Sequence, residues 1–208
     1  IAGKYSFSSS FSKEDDYHLI NRVLDELHHR GPDDKSIWQS DDSKIILGHK
    51  RLSILDLSIK GRQPMTSSSK RYVCVFNGEI YNFLELRKVL INKGINFKSN
   101  SDTEVLVEML DIFGLEKTLS HIDGMYAFAI WDCLKKEIYL CRDRVGKKPL
   151  YYSCDKDSLS FASEIKGLMV GKKETFSVDD QSAINFFALG YIPGFSTIYK
   201  EIKEVKPG

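Results

Sequence analysis

Four short polar segments of this 208-residue chain carry side chains whose types and spacing could do chemistry. They are residues 29–33 (His-Arg-Gly-Pro-Asp), 49–54 (His-Lys-Arg-Leu-Ser-Ile), 76–82 (Phe-Asn-Gly-Glu-Ile-Tyr-Asn) and 101–104 (Ser-Asp-Thr-Glu). Each also fits an ordinary structural role: a helix stop, a solvated turn, an Asn-Gly turn after a strand and a capping box. Taken together, they predict a pocket for a zwitterionic amino acid.

Each end of such a ligand has a matching group in these segments. The guanidinium of Arg51 could grip an α-carboxylate with two parallel hydrogen bonds, and the Asp102 carboxylate could bind an α-ammonium group. The Asn77 side chain and the Gly78 N–H could stabilise the oxygen of a side-chain amide. No Ser-His-Asp or Cys-His arrangement is evident among the remaining residues, so the pattern leaves the nucleophile unassigned.

Composition excludes several other classes of function. The formal net charge is +1, which gives no overall basic field for nucleic acid or an anionic membrane. The longest apolar runs, such as residues 125–131, are too short for a membrane span of about 20 residues. No secretory signal is visible and no Cys-x-x-Cys pair occurs, so we expect a cytoplasmic protein with reduced thiols. The adjacent His28 and His29 would point about 100° apart on a helix, so no metal site is expected.

Apolar periodicity predicts the elements that must position these residues. Stripes at helical spacing occur within residues 19–27, 83–90 and 105–113, and a fourth helix is expected over 180–188 with Ser177 or Asp179 as its cap. Strands are expected at 44–49, 52–57, 72–76, 125–131, 137–141, 150–153 and 158–162. Several of these strands are apolar nearly throughout, which indicates sheets covered on both faces. The pattern predicts a layered α+β domain, with 191–208 as an exit segment.

The chain also resembles a known family. The runs HRGPDD (29–34), GHKRLSILDL (48–57), FNGEIYNF (76–83), SDTEVLVEML (101–110), GMYAFAIWD (124–132), RDRVGKKPLYY (142–152) and FASEIKGL (161–168) carry the resemblance. They are similar to the N-terminal glutaminase domain of the asparagine-synthetase family, the class II glutamine amidotransferases. The resemblance spans residues 1–208 as one domain.

This resemblance implies a fold, a substrate and a pocket. The fold is the four-layer αββα sandwich of the N-terminal-nucleophile hydrolases, and the substrate is L-glutamine. The family's glutamine-binding positions correspond to Arg51, Leu52, Ser53, Ile54, Leu55, Asn77, Gly78, Glu79 and Asp102. Asn77 and Gly78 take the catalytic role of oxyanion stabilisation.

The family's nucleophile corresponds to a position before the first residue of this chain. The family begins Met-Cys-Gly-Ile-Ala-Gly, whereas this sequence begins Ile1-Ala2-Gly3, so the nucleophilic cysteine is expected two residues before Ile1. An α-amino group has a pKa of about 7.7–8.0 and can activate the thiol of its own residue. No catalytic histidine is then needed.

The resemblance also implies partners. No cofactor is expected in this domain, while ATP and Mg²⁺ belong to a C-terminal ATP-dependent synthetase domain, whose Ser-Gly-Gly-x-Asp-Ser signature does not occur here. The implied function is hydrolysis of glutamine to glutamate and ammonia, with conversion of aspartate to asparagine as the overall reaction. One alternative is a non-catalytic glutamine-binding or docking domain that has lost its cysteine. Another is a general amidase or self-processing hydrolase without the Arg51 and Asp102 clamp. A homo-oligomer is compatible with all of these.

Overall fold

The computed structural model describes residues 1–7, 12–170 and 176–208, which form ten β-strands and six α-helices. The strands are β1 (Ala2–Ser6), β2 (Asp34–Gln39), β3 (Ile45–Arg51), β4 (Met65–Thr66), β5 (Tyr72–Ile80), β6 (Gly124–Asp132), β7 (Glu137–Arg142), β8 (Tyr151–Cys154), β9 (Ser158–Ala162) and β10 (Ile202–Glu204). The helices are α1 (Lys13–Glu26), α2 (Phe83–Asn92), α3 (Asp102–Phe113), α4 (Leu115–His121), α5 (Ile165–Val170) and α6 (Asp180–Leu189).

The strands form two antiparallel sheets. The larger sheet has the order β10-β8-β9-β1-β3-β2, and the smaller sheet has the order β4-β5-β6-β7. In the larger sheet, β1 pairs with both β3 and β9, so the first strand of the chain lies in its interior. In the smaller sheet, β5 and β6 pair along nine residues each.

Side-chain alternation divides the core into three layers. Along β5, Cys74 and Phe76 pack against α2 and α3, whereas Val73 and Val75 face the other sheet. The middle layer, between the sheets, includes the fully buried Trp131 of β6. Because both faces of both sheets are covered, the architecture is the predicted four-layer αββα sandwich, with α1 and α5 over the larger sheet.

The helical predictions are largely confirmed. The stripe within 19–27 lies in or directly after α1, and the stripe within 105–113 lies in α3. The stripe within 83–90 predicts that Leu86, Val89 and Leu90 of α2 all face the core. Leu86 and Leu90 are buried, but Val89 is 45% exposed, so the prediction is wrong for Val89. Helix α6 is capped by Asp179, whose side chain accepts a hydrogen bond from the Ser182 N–H at 2.8 Å.

The strand predictions missed four elements, one of which is the two-residue strand β4. Strands β1 and β2 are short and partly polar, so neither stands out as an apolar run. Strand β10 lies within the predicted exit segment 191–208 and pairs with β8, so part of that segment completes the larger sheet. The strand predicted over 52–57 does not form.

Neither a membrane span nor a metal-binding cluster occurs within the described ranges. No helix there has both the length and the apolar character needed to cross a bilayer. The same residues contain no cluster of three or more His, Cys, Asp or Glu side chains that could hold a metal ion.

Candidate active site

A cavity of about 200 Å³ lies where the C-terminal end of β3, the second half of β5 and the start of α3 meet. Pockets for drug-sized ligands usually have volumes of about 300–1,000 Å³, so this one suits a small metabolite. Eight of the nine predicted glutamine-binding residues line it: Arg51, Leu52, Ile54, Leu55, Asn77, Gly78, Glu79 and Asp102. The structure thus brings together three segments that are far apart in the chain.

Ser53 is the predicted residue that does not line the cavity. Its backbone N–H donates to the Asp33 carboxylate at 2.7 Å, which ties this part of the chain to the loop after α1. The nearby residues Leu52 and Ile54 do reach the cavity, although they are 56% and 72% exposed. They form an apolar rim at its mouth.

Arg51 is buried at the end of β3 and shapes the loop that follows it. Its guanidinium donates to the carbonyl oxygens of Ser58, at 2.8 Å, and Asp56. The Asp56 carboxylate in turn accepts the N–H groups of Ser58 and Asn100. These contacts tie the chain after β3 to itself and to the segment that leads into α3, and a loop replaces the predicted strand over 52–57.

Asn77 carries a buried donor with nothing to bind. Its Nδ2 atom has no hydrogen-bond partner among the residues that the structure describes. A buried, unsatisfied donor costs about 1–3 kcal/mol, so such groups are rare in folded proteins without a functional reason. Since Asn77 lines the cavity, this amide is available to an oxygen atom of a ligand.

The backbone beside Asn77 presents a second donor. The N–H of Phe76 donates to Gln63 Oε1 at 2.6 Å, and the N–H of Ile80 donates to Asp102 Oδ2 at 3.0 Å, so both point away from β6. Backbone N–H groups two residues apart on a strand point to the same side, which directs the Gly78 N–H to this edge as well. A Cβ atom on Gly78 would lie 2.1 Å from the Met125 carbonyl oxygen, so only glycine fits here.

Asp102 occupies the first position of α3, 5% exposed and facing the cavity. Burial raises the pKa of its carboxyl group, the N–H donors of Ile80 and Thr103 partly oppose this, and the nearby Glu79 adds to the rise. An ammonium group bound beside Asp102 would reverse the shift, because a neighbouring cation favours the carboxylate.

The capping box predicted for residues 101–104 is only half correct. The Ser101 side chain accepts the Glu104 N–H at 3.2 Å, as predicted. The Glu104 carboxylate does not return to the Ser101 N–H, however, but accepts the N–H groups of Lys98 and Ser99. Glu104 therefore fixes the loop before α3.

Charged groups of both signs surround the cavity. Arg30, Lys50, Arg51 and Lys148 line it on the positive side, and Asp56, Glu79 and Asp102 on the negative side. This mixture matches a zwitterion better than a simple anion or cation. Arg30 itself pairs with Glu164 at 2.7 Å, as does His29 at 2.9 Å, so the segment predicted as a helix stop also anchors one wall.

Sequence reasoning missed two buried side chains of the cavity wall. His49 Nε2–H donates to the Phe76 carbonyl oxygen at 3.2 Å, and burial above all lowers the pKa of His49 to about 3. Gln63 bridges β5 and α3, because its Nε2 donates to Thr103 Oγ1 at 3.2 Å. Nothing in the local sequence distinguishes either residue from a polar residue at the surface. The hydrogen bonds of His49 and Gln63 join residues that are far apart in the chain.

Comparison with known proteins adds a family to this geometry. A family model described as a glutamine amidotransferase domain matches residues 1–208. Asparagine synthetase [glutamine-hydrolyzing] 3 of Bacillus subtilis is 37% identical over all of this chain and 33% of its own length, and asparagine synthetase [glutamine-hydrolyzing] 1 of the same organism is 38% identical over all of this chain and 32% of its own. The chain thus spans about a third of the length of these curated relatives.

A solved structure gives the same fold. The glutamine phosphoribosylpyrophosphate amidotransferase of B. subtilis, in complex with ADP and GMP, matches 86% of this chain and 45% of its own with a TM-score of 0.68. At 23% identity this match concerns the fold alone.

Proposed function

The chain belongs to the glutamine amidotransferase family, whose domains supply ammonia from glutamine, and on this premise we propose that its cavity hydrolyses L-glutamine to glutamate and ammonia. The observation that carries the proposal is the Asn77 Nδ2 donor, which has no partner among the described residues and lies beside the Gly78 N–H, in a cavity that Arg51 and Asp102 also line. Glutamine offers one group for each: an amide oxygen, an α-carboxylate and an α-ammonium.

The nucleophile in this proposal is a cysteine two residues before Ile1. Strand β1 pairs Ala2 with Gly48, so continuing the strand backward in the same register sets the two preceding residues opposite Lys50 and Arg51. Both of these residues line the cavity. A thiol at that position would therefore reach the amide carbon of a glutamine held by Arg51 and Asp102.

The chemistry then needs only this protein's own groups. The α-amino group of the cysteine takes the thiol proton, and the sulfur attacks the side-chain amide carbon. Asn77 and the Gly78 N–H stabilise the tetrahedral oxyanion, and the cysteine's α-ammonium group then gives its proton to the amide nitrogen, so that the C–N bond breaks and ammonia leaves. Water then cleaves the glutamyl thioester, giving glutamate and restoring the thiol.

The four cysteines within the chain are poor substitutes for this nucleophile. Burial raises the pKa of Cys74 well above its usual range, raises that of Cys141 to about 12, and raises that of Cys133. Thiols with raised pKa values hold little thiolate at neutral pH. Cys154 is exposed, but it does not line the cavity.

We propose that the ammonia is used by a C-terminal synthetase domain of the same protein, in the cytoplasm, to convert aspartate to asparagine. Glutamine amidotransferase domains need no cofactor, and the asparagine synthetase relatives imply ATP in their other domain, where we propose that Mg²⁺ accompanies it. The names of the relatives favour catalysis over a non-catalytic glutamine-binding or docking domain.

The test compares two versions of the protein, one with Cys-Gly before Ile1 at the mature N-terminus and one starting at Ile1. We expect glutamate release only from the first, and an electrophilic glutamine analogue should add to its N-terminal cysteine, as mapped by peptide mass. Equal glutamate release from both versions would refute the proposal. So would an adduct on Cys74, Cys133, Cys141 or Cys154.

A further inference from the structure

Arg142, the last residue of β7, is a buried arginine outside the cavity that joins two separate segments. Its Nε donates to the Lys148 carbonyl oxygen at 2.8 Å, and its Nη2 donates to the Gly146 carbonyl oxygen. Its Nη1 donates to the Val205 carbonyl oxygen at 2.6 Å and lies 3.0 Å from the Glu204 carboxylate. One guanidinium therefore fastens the turn 143–148 to the chain at 204–205.

The same turn is held from its other side by Asp143. Its carboxylate accepts the N–H groups of Tyr126, Val145, Lys147 and Lys148 at 2.9–3.2 Å. Burial alone would raise the pKa of Asp143, but these four donors outweigh it and lower the pKa below its usual range. The turn is thus fixed to β6 through Asp143 and to residues 204–205 through Arg142.

Both attachments lead to the cavity. Lys148, at the end of the turn, lines it directly, and Tyr126 is the residue that pairs with Gly78 across β5 and β6.

The turn is tightly packed at Gly146. Gly146 has a φ of +68°, and a Cβ there would lie 2.9 Å from both Arg142 Nη2 and Pro207 Cγ.

We propose that Arg142 is a positioning residue for the glutamine cavity. By fastening the turn 143–148 to residues 204–205, it fixes the cavity wall at Lys148. Glutamine affinity then depends on a segment that itself contributes no residue to the cavity lining. The identity of the ligand in this inference rests on the function proposed above.

The substitution Arg142→Lys separates geometry from charge. A lysine keeps the positive charge near Glu204, but a single ammonium cannot reproduce a planar fork that reaches three carbonyl oxygens. The matched control is Arg71→Lys. Arg71 also pairs with a carboxylate on a strand, that of Asp132 in β6, at 2.8 Å. Arg71 does not line the cavity.

The experiment measures hydrogen exchange over residues 143–148 and the glutamine kcat and KM of the full-length protein. Lys148 lines the cavity but has no part in the proposed reaction, so its displacement should weaken binding more than it slows the reaction. We therefore expect Arg142→Lys to speed exchange in the turn and raise KM by about tenfold, with kcat changed less than about twofold. Arg71→Lys should change neither. Glu204→Gln, which keeps the carbonyl contacts, should raise KM by a smaller factor than Arg142→Lys.

If Arg142→Lys lowers the melting temperature but leaves the glutamine KM unchanged, the inference is wrong. It is also wrong if Arg71→Lys raises KM by the same factor as Arg142→Lys. If Arg142→Lys does not fold, Gly146→Ala tests the same contact, because its Cβ presses on Arg142 and Pro207. An unchanged KM in that variant, with exchange in the turn increased, overturns the inference. Failure of the unsubstituted protein to hydrolyse glutamine would instead refute the proposed function, and the positioning role with it.

Discussion

The Asn77 amide offers the sharpest test of the site, because its free donor separates catalysis from stability. Asn77→Ala removes Nδ2, which binds no other group in the described part of the chain. Loss of one oxyanion donor typically lowers kcat by about 10²–10³, or about 2.7–4 kcal/mol of transition-state stabilisation. We expect a decrease in kcat of this size, with the glutamine KM changed by less than about threefold, since the oxyanion forms only during reaction.

The free energy of unfolding should change much less than kcat in Asn77→Ala. Because Nδ2 is buried without a partner among the described residues, the folded protein loses no hydrogen bond from it in Asn77→Ala and is relieved of a donor that costs about 1–3 kcal/mol. The lost side-chain contacts offset this gain. We therefore expect the free energy of unfolding, measured by urea denaturation, to fall by no more than about 1 kcal/mol.

Gln39 provides the control. Its Nε2 is also buried without a partner in the described residues, but Gln39 lies at the end of β2 and does not line the cavity. Gln39→Ala should match Asn77→Ala in stability and leave kcat unchanged. If Asn77→Ala keeps kcat within about threefold of the unsubstituted protein, or if both variants lose the same factor, the oxyanion role of Asn77 is wrong.

The remaining predictions concern three other cavity residues. Arg51→Lys should raise the glutamine KM strongly, because an ammonium cannot reproduce the guanidinium fork, and an unchanged KM would exclude the carboxylate role. Asp102→Asn should lower glutaminase activity at least about tenfold, or about 1.4 kcal/mol, with a near-normal melting temperature, since an amide oxygen can still accept the Ile80 N–H. Full activity with a lower melting temperature would leave Asp102 as a purely structural cap. His49 has a folded-state pKa of about 3, below its ordinary 6.5, so the unfolded state binds more protons between these values and stability falls as the pH is lowered from about 6.5 to 3. His49→Gln should flatten that dependence in thermal melts recorded across this range, and an unaltered slope would contradict it.

Long periodic elements were predictable because their local pattern and their tertiary packing agree. The apolar stripe of α3 and the apolar runs 72–76 of β5 and 126–131 of β6 pack in the core, as their patterns predict. The segment 52–57 was predicted wrongly because its apolar residues favour a strand, while the hydrogen bonds of Arg51 and Asp56 hold the chain here as a loop. Propensity there is overridden by two side chains.

The resemblance to a known family supplied Leu52, Ile54, Leu55 and Glu79 as cavity residues. By itself, the sequence determined the layered fold, the amino-acid chemistry of the four segments and the cavity residues Arg51, Asn77, Gly78 and Asp102. Those features depend on residue type and on short-range spacing, which the chain displays directly. Only the tertiary structure decided that Ser53 lies outside the cavity, that Glu104 binds residues 98–99, and that His49 and Gln63 complete the wall. These outcomes depend on which donors and acceptors meet across sheets and loops, and such pairings between distant residues leave no local pattern in the sequence.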